Sequence, residues 1–295
     1  MHPRPTRGLA AVFACGALTC TALADAPPVL DAPESAYWHA GTASWYVSNL
    51  GGGLSLERDG YGWIARFDAS GQLDDARWVQ GLDAPTGMAS VGDRLYVADR
   101  AGLVEIDIPA ARVLRTIELP GVAFPNDVAA APDGTVYVSD MGGNRIYRMQ
   151  PGGAAEAWLE SETLENPNGL AVEGGTLVVA TWGPMIEPGG FATRHPGTVL
   201  RVDRETGTIR PLREGAQIAN LDGIVRVGEH WFATDWSGGR LLRIDPDGRH
   251  EVVMSGFLQP ADLGYSAETH TLGLPLMGDD RLVLLHLGTL SGSTR

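Results

Sequence analysis

The sequence predicts an all-β chain folded as a six-bladed β-propeller of four-stranded antiparallel blades. A short phrase recurs six times, Gly- and Pro-rich hairpin turns separate short strand-like segments within each recurrence, and no segment shows the 3.6-residue period of a long amphipathic helix. The phrase reads Pro33-Glu34-Ser35, Pro85-Thr86-Gly87-Met88, Pro125-Asn126-Asp127-Val128, Pro167-Asn168-Gly169-Leu170, Leu221-Asp222-Gly223-Ile224 and Pro260-Ala261-Asp262-Leu263. Counted at the residue after the Pro-like position, the copies lie 52, 40, 42, 54 and 39 residues apart, the repeat length of a four-stranded propeller blade. The 39 Gly and 19 Pro among 295 residues supply the turns such a fold needs.

The third copy shows the strands of one blade. An apolar segment from Asp127 to Ala131 leads into an Asp133-Gly134 turn, then Thr135 to Asp140, Met141-Gly142-Gly143-Asn144, Arg145 to Gln150, Pro151-Gly152-Gly153 and Ala154 to Leu159. Asp-Gly is a strong hairpin signal because both residues tolerate positive φ. The fifth copy repeats the layout with His230 to Asp235, Arg240 to Asp245, Pro246-Asp247-Gly248 and Arg249 to Met254. The last copy supplies three clear strands, the third from Arg281 to Leu287. Pro27 to Asp31 is therefore expected to complete that blade as its outer strand and cover an unpaired edge.

Residues 1–24 read as a cleaved secretory signal: Arg4 and Arg7, the apolar run Gly8 to Leu23, and Ala22-Leu23-Ala24 ahead of Asp25. The propeller is then a single domain over residues 25–295, periplasmic or secreted and expected to be a monomer. Cleavage removes both Cys15 and Cys20, which excludes disulfides, thiolate metal sites and a cysteine nucleophile from the mature chain. All 22 basic residues are Arg, so Schiff-base and phosphate-loop lysine chemistry is excluded as well. The net charge of −14 disfavours nucleic acid and anionic membrane surfaces as partners. No apolar stretch of membrane-spanning length follows the leader, and a small molecule or a cation is the natural ligand.

Antiparallel alternation gathers the six phrases at one mouth of the central channel. The insertions Asn49 to Tyr61 and Thr181 to Pro196 are expected to wall or cover the same mouth. The phrases present Glu34, Thr86, Asn126, Asn168, Asp222 and Ala261, one per blade. Two carboxylates and two amides form an all-oxygen, net-negative set of the kind that a hard divalent cation selects. Asn, Asp and Thr also serve turn backbones, a role that Glu34 fits poorly. No His occupies a ring position, which disfavours zinc or iron.

Asn49, Asp99, Asp140 and Asp235 close second strands and read as structural caps, and Asp127 and Asp262 stand where other blades carry Gly. Trp182 and Trp236 follow second strands and can floor a pocket. His195 is the one histidine expected near the mouth. Ser35 lacks both a Gly-x-Ser-x-Gly context and a nearby base.

Pro33-Glu34-Ser35, Asn126-Asp127, Pro167-Asn168-Gly169-Leu170 and Leu221-Asp222-Gly223 resemble the pattern of the senescence marker protein, gluconolactonase and luciferin-regenerating enzyme family (regucalcin-like), six-bladed propellers also similar to paraoxonases and strictosidine synthases. The resemblance spans the whole mature chain. It implies that Glu34, Asn168 and Asp222 ligate one divalent ion, Ca²⁺ before Zn²⁺, Mg²⁺ or Mn²⁺. It also implies that Asp222 is the base or water activator and that Asn126 contacts substrate or completes the metal shell. One departure bears on specificity: Phe124 stands where the sugar-lactone hydrolysing members carry Arg, which points to a ligand less polar than a sugar lactone. The expected function is metal-dependent hydrolysis of a lactone or ester at the mouth; the alternative is a non-catalytic periplasmic binding or scaffold propeller with a structural ion.

Overall fold

The computed structural model describes residues 29–52 and 58–288, so the expected leader lies outside the described residues. Six antiparallel sheets follow one another along the chain, and each is built from consecutive strands. The first strands of blades one to six are Pro33–His39, Met88–Val91, Pro125–Ala130, Pro167–Glu173, Leu221–Val227 and Gly264–Ser266. Blades one to five have four strands each, and blade six shows three among the described residues.

The core lies between blades rather than within them. One apolar cluster joins Tyr46 and Ile64 of blade one to Leu95 and Val97 of blade two. Equivalent clusters join blades two and three, three and four, four and five, and five and six. The sixth unites Trp45 and Phe67 of blade one with Leu282 and Leu284 of blade six and closes the ring. A twisted blade can bury both faces only against its neighbours, so removing its edges from solvent requires closure. Backbone bonds stitch the inner strands where the ring closes: the Asp262 N–H donates to the Glu34 carbonyl at 2.8 Å, and the Ala36 N–H donates to the Asp262 carbonyl at 3.1 Å.

The segment before blade one differs from the expected outer strand. Pro27 and Pro28 lie outside the described residues, and residues 29–31 form no ladder with blade six. The Asp31 N–H donates to Asn49 Oδ1 at 3.0 Å, and the Asp31 carbonyl accepts the Gly51 N–H at 3.4 Å. These groups are committed to the end of blade one's second strand. Leu30 instead reaches blade six by packing, in the cluster that holds Leu282 and Leu284.

Four first strands carry one extra residue against their partner. Pro33 pairs with Asn49 and Ala36 with Val47; the same three-against-two step separates Pro125 from Val128, Pro167 from Leu170, and Leu221 from Ile224. A bulge of this kind turns a side chain out of the alternation of its strand. The residues it displaces include Glu34, Asn126, Asn168 and Asp222. In blades two and six the regular ladder starts only at Met88 and Gly264.

Candidate functional site

The bulges bring the expected ring residues to one cavity. Glu34, Thr86, Asn126, Asn168 and Asp222 line it together with Leu50, Phe124, Met141, Trp182, Phe191, Trp236 and Met277. Ala261 is fully buried beside Met277 and does not line it. All four polar residues delivered by the bulges are buried.

The hydrogen bonding of these four residues is incomplete in a consistent way. The Asn126 amide nitrogen approaches Met141 Sδ at 3.9 Å, and the Asn168 side chain lies beside Asp222. Glu34 Oε2, Asn126 Oδ1, Asn168 Oδ1 and Asp222 Oδ1 are buried with no hydrogen-bond donor. A buried acceptor left unpaired costs about 1–3 kcal/mol. Four of them around one cavity are an arrangement that a cation can satisfy and that a donor-poor apolar wall cannot. The set also fits a hard cation by type, because Ca²⁺ takes carboxylate and amide oxygens and about six to eight ligands, which leaves positions for water and substrate. Among the described residues no group of three or more His, Cys, Asp or Glu side chains is placed to hold a metal. The mouth combines two carboxylates with two amides instead.

Electrostatics point the same way. Burial pushes the Glu34 carboxyl well above its usual range, and the negative charges of Asp222, Asp262 and Asp127 push it further. Asp222 is raised by burial and by Asp262, with the Asn168 side chain acting in the opposite sense. A positive charge placed among these groups would reverse both trends.

Asp127 and Asp262 stand apart from the cavity and border the channel's opposite opening with Tyr37, Ser90, Arg226 and Tyr265. Asp127 accepts the backbone N–H groups of Val128 and Leu170, each at 2.6 Å. Ser35 donates its hydroxyl to Asp262 at 2.6 Å and is therefore a bracing residue. Burial raises Asp262 to about 7.

The cap positions brace the loops that deliver the ring. Asp99 accepts the Ala84 N–H at 2.7 Å, Asp140 accepts the Phe124 N–H at 2.7 Å, and Asp235 accepts the Gly238 N–H at 2.9 Å. His195 lies on the fourth-blade insertion, 3.9 Å from Glu165, and does not line the cavity. Trp182 and Trp236 do line it, with centroids 5.6 Å apart, and Phe191 completes an aromatic wall 5.9 Å from Trp182 and 6.0 Å from Trp236. Phe191, Met141 and Met277 escaped the sequence reading. An isolated Phe inside an insertion and single Met residues after strands carry no periodic signal.

Comparison with known proteins agrees with this architecture. A strictosidine synthase-like, N-terminal family model matches residues 112–149, from the outer strand of blade two into blade three. No curated protein matches the sequence. Among solved structures, a gluconolactonase from Xanthomonas campestris is similar over 97% of this chain and 99% of its own, with a TM-score of 0.65 at 18% identity. Regucalcin from Agrobacterium tumefaciens, described as a calcium-binding protein, is similar over 88% of this chain and 90% of its own, with a TM-score of 0.63 at 18% identity. A virginiamycin B lyase from Staphylococcus aureus covers 92% of this chain and all of its own, with a TM-score of 0.60 at 15% identity. By fold, the chain stands with the six-bladed propellers of the gluconolactonase and regucalcin type.

Proposed function

We propose that the protein is a divalent-metal-dependent hydrolase of a lactone or ester. Glu34, Asn168 and Asp222 serve as metal ligands, Ca²⁺ is the preferred ion, and Asn126 completes the shell or contacts the substrate. The observation that carries this reading is the set of four buried oxygens without donors, one from each of four blades. The gluconolactonase and calcium-binding names of proteins with the same fold support the reaction class and the ion.

A bound divalent cation supplies positive charge at the substrate carbonyl oxygen, where negative charge develops during acyl transfer. The chain's own groups do the rest. Asp222 accepts a proton from the water that adds to the carbonyl carbon and returns it to the leaving alkoxide as the acyl C–O bond breaks. The products are a hydroxy acid, or an acid and an alcohol. Asn168, whose side chain lies beside Asp222, favours the carboxylate form of Asp222. The aromatic wall and Met277 limit water to the reacting face.

Purified protein should contain close to one equivalent of divalent metal and should turn over lactones or esters. Chelation should abolish turnover; for an ion serving only as a staple, chelation would lower Tm and there would be no turnover to lose. Retention of full metal content and lactonase activity in Asp222→Ala or Asn168→Ala would overturn the assignment. The periplasmic or secreted, monomeric state belongs to the same proposal; N-terminal sequencing of exported protein tests the first part and its mass in solution tests the second.

A further inference from the structure

We propose that the ligand at this mouth carries an apolar side group, an alkyl chain or an aromatic ring, that seats against Phe191 and Trp236, and that polyhydroxylated ligands are selected against. This rests on the hydrolase reading for the reacting carbonyl, but its own support is the hydrogen-bond inventory of the cavity.

Most side-chain donors on the lining have a partner within the protein. The Trp182 indole N–H donates to the Phe191 carbonyl at 3.0 Å, and the Trp236 indole N–H donates to Met277 Sδ at 3.3 Å. The Asn126 amide approaches Met141 Sδ at 3.9 Å, and the Asn168 amide lies beside Asp222. The Thr86 hydroxyl donates to the Ala98 carbonyl at 3.3 Å. Among the described residues no Arg or His lines the cavity. A sugar-like ligand would therefore find few free donors for its hydroxyl oxygens, and the acceptors open to its hydroxyl protons are those grouped for a cation. An apolar pocket disfavours an added hydroxyl by about 100-fold. An alkyl or aryl group loses nothing there and gains the aromatic surface.

The wall is also placed to receive such a group. Phe191 is 47% exposed and Ile186, on the same insertion, is 50% exposed, although both are large apolar side chains. The bond from Trp182 fixes the Phe191 backbone over the mouth. Phe191 stacks on Trp236 with an interplanar angle of 20°, which leaves an aromatic edge and face at the entrance instead of in a core. Phe124 also lines the cavity and adds to its apolar surface.

The test compares two δ-lactones of the same ring size, one bearing a pentyl chain and one bearing hydroxyls (glucono-δ-lactone), on the calcium-loaded protein. The pentyl compound should be favoured in kcat/KM by about 100-fold or more. A second arm titrates tryptophan fluorescence with the pentyl δ-lactam, which is not hydrolysed. It should bind, and Phe191→Ala should weaken it by about 10-fold. Preference for the hydroxylated lactone, or absence of lactam binding, overturns the inference. Lactam binding without turnover of any lactone upholds the apolar seat and overturns the hydrolase reading instead.

Discussion

The Ser139 hydroxyl donates to the main-chain carbonyl of Asn168 at 2.8 Å and accepts the N–H of Asp127 at 2.8 Å. One hydroxyl in the second strand of blade three thus fixes two consecutive ring strands against each other, next to Asn126 on one side and at Asn168 on the other. Thr234 repeats the device between Gly223 and the Ala261 carbonyl in blades five and six. Ser139→Ala leaves a buried donor and a buried acceptor unpaired, so it should destabilise the protein by about 1–3 kcal/mol in denaturant unfolding. It should also weaken Ca²⁺ binding by about 10-fold or more in calorimetry, because ligand orientation is lost. Ser139→Thr, the residue that blade five uses, should restore both. Equal metal affinity in the Ala variant would show that the hydroxyl braces the fold but not the site.

Glycines of one blade make room for carboxylates of the next. A Cβ on Gly87 would collide with Asp127, and a Cβ on Gly223 with Asp262. Gly223→Ala should therefore cost about 1–3 kcal/mol by overpacking. Gly175→Ala, where nothing lies within 4 Å of the added carbon, should be neutral or stabilising by up to about 1 kcal/mol. Thermal unfolding of the two variants side by side checks the contrast, and similar Tm values would contradict the packing account.

The metal-free protein should lose stability as pH rises. Glu34, Asp127, Asp222 and Asp262 all have carboxyls raised by burial, with repulsion from neighbouring carboxylates adding to the first three. A raised folded-state value means the native state holds more protons than the unfolded chain, so stability falls with increasing pH. The loss should begin above the ordinary carboxylate values and continue through about 7, where Asp262 titrates. Asp262→Asn should flatten the upper part of the profile, and added Ca²⁺ should offset the decline by compensating charge at Glu34 and Asp222. Chelated protein whose stability increased between pH 5 and 7 would refute this.

Much of the site was legible because propeller repeats place one residue per blade at a fixed point of the phrase. Glu34, Asn126, Asn168 and Asp222 were identifiable from that register alone, and the interblade core follows from strand alternation. The bulges were not legible, because one extra residue between Pro125 and Val128 leaves no composition signal until the partner strand is known. Asp127 and Asp262, which stand where other blades carry Gly, are buried because the preceding blade's Gly gives them space, and nothing in their own phrases signals that burial. The Pro27 to Asp31 strand was expected from blade arithmetic, which takes no account of the claim that Asn49 and Gly51 make on the Asp31 backbone.

Thr86 and Glu34 line the same mouth but differ in whether the side-chain oxygen already has a partner in the protein. The Thr86 hydroxyl is spent on the Ala98 carbonyl at 3.3 Å, and its N–H donates to the same carbonyl at 2.9 Å. Glu34 keeps a buried oxygen without any donor. Thr86→Ala should therefore cost about 0.5–1.5 kcal/mol in stability and leave the Ca²⁺ dissociation constant where it was. Glu34→Gln preserves shape but removes one of the site's two negative charges, and cation affinity follows the count of charged ligands. It should weaken Ca²⁺ binding by about 100-fold or more, roughly 2.8 kcal/mol, while Tm of the metal-free protein rises because a buried carboxylate has gone. Calorimetric titration of both variants, with melting curves recorded in chelator, decides the matter. If Thr86→Ala lost metal and Glu34→Gln kept it, the ion would sit nearer blade two than the four unpartnered oxygens allow.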